Sequence, residues 1–133
     1  MPDIRMASVT AAPLVTTTET TILSLGPFTE NEGQSDTAQG YLIAGSYNYT
    51  SGAGATALTT RVRQGSITGT MVGVARQTNV VAGNSADIPF IEQDPTFNAI
   101  GAIYVVTVQQ VGATANGVVN RGAAWCGAVT SAV

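Results

Sequence analysis

Along most of the chain apolar side chains alternate with polar ones at a period of two, and no stretch repeats at the 3.6-residue period of an amphipathic helix. The cleanest alternation runs from Ala57 to Gln64. There Leu58, Thr60 and Val62 share one side, and Thr59, Arg61 and Arg63 share the other. From Gln39 to Thr50, Tyr41, Ile43, Tyr47 and Tyr49 fall on one parity and predict a packed face. The pattern predicts further strands over 14–25, 70–76, 86–91, 102–111 and 118–129. Short β-branched segments at even spacing, punctuated by glycine, predict an all-β protein: about eight antiparallel strands in a jelly-roll sandwich.

The segment 102–111 (AIYVVTVQQV) departs from strict alternation, because both of its parities carry apolar residues. A strand of this kind is buried on both faces, or on one face against a neighbouring subunit. On the second reading Tyr104, Val106 and Val108 form a subunit interface. Turns are expected at Gly65–Gly69, at Gly83-Asn84 and at Asn116-Gly117, the last being the strongest hairpin signal in the chain. Two polar segments, 29–39 and 92–95, read as loops. Residues 1–13, bracketed by Pro2 and Pro13, read as an extended N-terminal arm ahead of a single domain over 14–133.

Composition narrows the chemistry. The chain has 133 residues, of which 10% are charged, with five Lys or Arg, eight Asp or Glu, no histidine and one cysteine. Ordinary domains are roughly 25% charged. All five cations are arginines: Arg5, Arg61, Arg63, Arg76 and Arg121. They make no basic face of the sort that binds nucleic acid through its phosphates. Without histidine the commonest general base and the Ser–His and Cys–His pairs are absent, and a lone Cys126 gives neither a zinc site nor an internal disulfide. Cys126 reads as a small core residue. The expectation is a protein that is not an enzyme and has no cofactor. No signal peptide or membrane span is visible, so synthesis in a cytoplasm is expected. The scarcity of charge also implies that outer sheet faces are coated with threonine, alanine and valine, and that copies of the chain or a partner cover part of them.

Individual motifs add little. Arg61 and Arg63 present two guanidiniums on one strand face, either to a partner's acids or to Glu19 or another strand acid. Glu30, Glu32 and Asp36 lack the spacing of a calcium loop. Glu92 and Asp94 form a carboxylate pair with no sign of a cleft. Tyr41, Tyr47 and Tyr49 would serve as a sugar platform only if they were not a packed face.

The segments 51–65 (SGAGATALTTRVRQG) and 104–119 (YVVTVQQVGATANGVV) look like a turn leading into a two-arginine strand and like a closing hairpin. Together they resemble small jelly-roll proteins of tailed-phage particles, capsid decoration and head-fibre proteins with a tumour-necrosis-factor-like fold. The resemblance spans residues 14–133 and transfers no site residue. It implies a homotrimer on the virion surface whose partners are its own copies and the major capsid protein. An extended terminus then holds capsid subunits, which makes Ile4, Arg5 and Met6 the candidate docking residues. The alternative it leaves open is a fibre-tip module that recognises a host glycan or protein.

Overall fold

The computed structural model describes residues 4–9, 12–27, 38–52, 56–94, 103–111 and 115–130. Nine strands lie among them: β1 (Ile4–Ser8), β2 (Leu14–Val15), β3 (Thr20–Leu25), β4 (Ala38–Thr50), β5 (Thr56–Gln64), β6 (Met71–Val80), β7 (Ser85–Asp94), β8 (Tyr104–Val111) and β9 (Gly117–Thr130). They form two antiparallel sheets, ordered β1-β9-β4-β7, with β2 also on β9, and β3-β8-β5-β6. The pairings β5–β6, β4–β7, β3–β8 and β2–β9 make one long ribbon, folded back at the Gly65–Gly69 turn. Pairing of β4 with β9 and of β5 with β8 rolls that ribbon up. This is a jelly-roll sandwich.

The core lies between the sheets. Tyr41, Ile43, Tyr47 and Tyr49 of β4 are buried, as their shared parity requires, against Leu58 and Val62 of β5 and Tyr104, Val106 and Val108 of β8. Buried tyrosine hydroxyls need partners. The Tyr47 hydroxyl lies 2.6 Å from Thr60 Oγ1, Tyr49 donates to Gln110 Oε1 at 3.0 Å, and Tyr104 donates to Asp94 Oδ2 at 2.6 Å. These tyrosines therefore form the packed face and not a sugar platform.

Four expectations need correction. The single strand expected over 14–25 is two strands, β2 and β3, in different sheets. Between them the Thr18 amide donates to Thr16 Oγ1 at 3.0 Å and Thr20 Oγ1 to the Thr18 carbonyl at 3.1 Å. Threonine hydroxyls here offer the backbone a turn in competition with a ladder. Asn116-Gly117 closes no hairpin, because β8 and β9 belong to opposite sheets. Gly117 is also not among the glycines at positive φ. It is needed for closeness: a Cβ there would overlap the Tyr49 ring. Glu92 and Asp94 lie in β7, not in a loop, and are buried. Finally, Ile4–Ser8 is an edge strand paired with β9, and Ala7 and Val9 pack on the core, so this part of the arm belongs to the sandwich. Glu30, Glu32 and Asp36 fall outside the described residues.

Candidate functional site

Among the described residues no group of metal-ligating side chains gathers, and the candidate sites taken up are surfaces. The outer face of the β1-β9-β4-β7 sheet is built from rows that the cross-strand register defines. Met6, Trp125, Ala44 and Ile91 are successive register partners across all four strands. Three of them are large and solvent-facing: Met6 is 80% exposed, Ile91 55% and Trp125 40%. The neighbouring row, Ser8, Ala123, Ser46 and Pro89, is uncharged and exposed. The next row is polar: Arg121, Asn48 and Asp87. Asn48 Nδ2 donates to Asp87 Oδ1 at 2.8 Å, and Arg121 stands 3.7 Å from the same oxygen. A groove of about 270 Å³ runs past Ser46, Asn48, Asp87 and Arg121.

This face follows from local sequence. In β9 the residues Ala124 and Cys126 are buried, so Ala123 and Trp125 point outward. In β7 Ile88 and Phe90 are buried, so Asp87, Pro89 and Ile91 point outward. Pro89 costs the sheet nothing, because β7 is an edge strand. A hollow of about 370 Å³, lined by Ala44, Gly45, Arg76, Pro89, Phe90 and Ile91, opens beside Ile91. Arg76 is held there by its ion pair with the buried Glu92.

The outer face of the other sheet carries Arg61 and Arg63. Both turn onto Glu19 rather than outward to a partner. Arg63 donates from Nε to Glu19 Oε2 at 2.6 Å and from a terminal nitrogen to Oε1 at 2.9 Å; Arg61 donates to Oε1 at 3.2 Å. Thr107 Oγ1 adds a 2.6 Å bond to Oε2. The Glu19 carboxyl is held below its ordinary value, chiefly by the Arg63 hydrogen bond. Burial opposes that lowering, and the Thr107 hydroxyl and the charges of Arg63 and Arg61 add to it. Arg61 also reaches Gln109 Oε1 at 2.9 Å and Arg63 the Gly69 carbonyl at 3.0 Å. The cluster is a structural cross-brace between the β2–β3 connection, β5 and β8.

Tyr104, Val106 and Val108, the residues expected at a subunit interface, face the core of the sandwich. Their side chains are buried between the two sheets. The opposite parity of β8 is covered within the chain too, with Val105 and Thr107 buried beside the Glu19 cluster. Of the candidate docking residues, Ile4 and Arg5 lie opposite Gly127 and Cys126 in the β1–β9 ladder, and Met6 opposite Trp125. Sequence reasoning missed Trp125, Ile91, Asp87 and Arg121 as one surface. The signal was the outward parity of 87, 89 and 91 and of 121, 123 and 125, but joining the two sets required the register through β4.

Cys126 is buried, and its thiol pKa is pushed up to about 12 by desolvation and, secondarily, by the nearby Asp94 charge. Native protein at pH 8 is therefore expected to react with a thiol reagent at least about a hundredfold more slowly than unfolded protein. Equal rates would place the thiol outside the core.

No family model matches the sequence, and no curated protein matches it. Solved structures share the fold. The VP2 protein of infectious bursal disease virus in T=1 particles is similar at 14% identity and a TM-score of 0.55, over 94% of this chain and 31% of that one. Another particle of that virus, also T=1, gives 11% identity and a TM-score of 0.59 over 97% of this chain and 32% of that one. Eiger, a tumour necrosis factor of S. frugiperda, gives 9% identity and a TM-score of 0.52 over 99% of this chain and 95% of that one. The chain thus spans about a third of the length of the viral proteins it resembles.

Proposed function

We propose that the chain is a non-enzymatic structural protein of a virus particle. In its finer form the reading is a decoration, or cement, protein that assembles as a homotrimer, binds the outer surface of a phage head and stabilises junctions between major capsid protein subunits. The observation that supports it is the N-terminal edge of the sandwich. β1 presents a strand edge that no described residue pairs, and Met6 in β1 and Leu14 in β2 are exposed apolar side chains on the same flank of β9. Exposed strand edges invite pairing with another chain, and burying apolar area adds about 25 cal/mol per Å². Repeated over many copies, a modest footprint of this kind reinforces a shell. The viral jelly rolls of the same fold agree with this reading.

Removing residues 1–13 would delete a strand of the sheet, so a point change is the better test. Met6→Asp is expected to weaken sedimentation with purified heads at least about tenfold while leaving the circular dichroism spectrum unchanged. Undiminished binding by that variant would remove the β1 edge from the docking surface. The groove past Asn48, Asp87 and Arg121 favours a second reading, a fibre-tip module for a host glycan. Binding of the isolated protein to host cells but not to heads would establish it instead.

A further inference from the structure

We infer that copies of this chain meet through the outer face of the β1-β9-β4-β7 sheet, with the β7 half of one copy lying on the β9 half of the next. This deepens the self-assembly part of the proposed function and requires no particle.

The face is complementary to itself in shape. It carries a large, partly exposed side chain on β9, the Trp125 indole, and a hollow of about 370 Å³ on the β7 side, lined by Ala44, Gly45, Arg76, Pro89, Phe90 and Ile91. Trp125, Ala44 and Ile91 lie in one row, so a copy that sets β9 over β7 in register brings the indole to the second copy's Ile91 and its hollow. Arg76 lines that hollow, its charge already balanced by Glu92, and it can stack on the arriving indole.

The face is complementary to itself in charge as well. The same alignment brings the polar row over itself, so that Arg121 meets the second copy's Asp87. Within one chain these two are weakly joined at 3.7 Å, and each is nearly three-quarters exposed. Between copies they make a second, desolvated pair, which selects register and partner. The chain carries a net charge of −3, so most approaches of one copy to another bring like charges together. Over the rows of Trp125, Ala123 and Arg121, this face brings together one arginine and one aspartate and is neutral. A face holding its own indole and hollow, and its own cation and anion, fits a second copy better than an unrelated shell or a glycan. On the opposite sheet Arg61 and Arg63 are committed to Glu19, and Arg76 of β6 to Glu92.

The experiment is native mass by light scattering across micromolar concentrations, with thermal unfolding as the fold control. Wild type is expected to be an oligomer. Trp125→Ser, Arg121→Asp and Asp87→Arg should each raise the dissociation constant at least about tenfold with an unchanged circular dichroism spectrum. The double variant R121D/D87R restores opposite charges between copies and should recover assembly. A monomeric wild type overturns the inference. So does an oligomer indifferent to all three single changes, or a double variant no better than the singles. Particle binding is scored separately on wild type: an oligomer that does not bind heads refutes the capsid reading alone, and a monomer that binds heads refutes this inference alone.

Discussion

Replacing Glu19 by alanine is expected to lower stability at pH 7 by about 2–3 kcal/mol, in urea unfolding followed by tryptophan fluorescence. The magnitude comes from what remains. Glu19 is only 17% exposed, and Arg61 and Arg63 are 22% and 21% exposed. Removing the carboxylate strands two half-desolvated guanidiniums side by side and leaves the Thr107 hydroxyl without its acceptor. Fully buried pairs broken this way cost about 3–5 kcal/mol, and partial exposure reduces the figure. Arg61 keeps Gln109 and Arg63 keeps the Gly69 carbonyl, which limits the loss further. Glu19→Gln keeps an acceptor and should fall between wild type and alanine. A loss below about 0.5 kcal/mol would mean that the cluster is a solvated surface pair.

The same group sets an acid limb. The folded-state pKa of Glu19 is lowered from an ordinary 4.5. The unfolded chain therefore binds the proton first as pH falls. The contribution of Glu19 is complete above that ordinary value, shrinks as pH drops below it, and is gone once pH has passed through the lowered folded value. Wild type and Glu19→Gln should accordingly differ at pH 7 and converge in strong acid. A constant gap between them would mean that Glu19 is not the source of the acid loss.

Strand interiors were legible because a period of two is a property of neighbouring residues. Tyr41, Ile43, Tyr47 and Tyr49 declare the inner face of β4 without reference to any other strand. Sheet membership was not legible in that way. The threonine run before Thr20 has strand propensity throughout, and only the hydroxyl bonds at Thr16 and Thr20 show where the chain leaves one sheet for the other. Asn116-Gly117 has the composition of a tight turn, yet its glycine answers to the Tyr49 ring, which lies far away in sequence. The outer row shows the same limit. Met6 and Ile91 face the same way on strands at opposite edges of a sheet, and only the ladders through β9 and β4 bring them into one line. The choice offered to Arg61 and Arg63 was open for the same reason, since the alternation fixes which side they face but not which acid crosses to meet them.

Val106→Asp is expected to abolish cooperative folding. The residue sits in the middle of β8, opposite Leu23 on one side and Val62 on the other, and all three side chains are buried in the core. A carboxylate placed there must either shed its hydration or take up a proton and remain a polar group without a partner; either course costs more than about 4 kcal/mol. Domains of this size hold only about 5–15 kcal/mol in total. The milder Val106→Ala, which leaves a small void, should cost about 2 kcal/mol and remain folded. The pair separates the two meanings of an apolar strand. At a subunit boundary, V106D would give a soluble, folded chain of reduced native mass, the outcome expected of Trp125→Ser on the outer face. Inside the sandwich it gives loss of the unfolding transition itself. The burial of Val105 and Thr107 on the opposite face covers mid-β8 on both sides within the chain, so the apolar excess of this strand serves its own core.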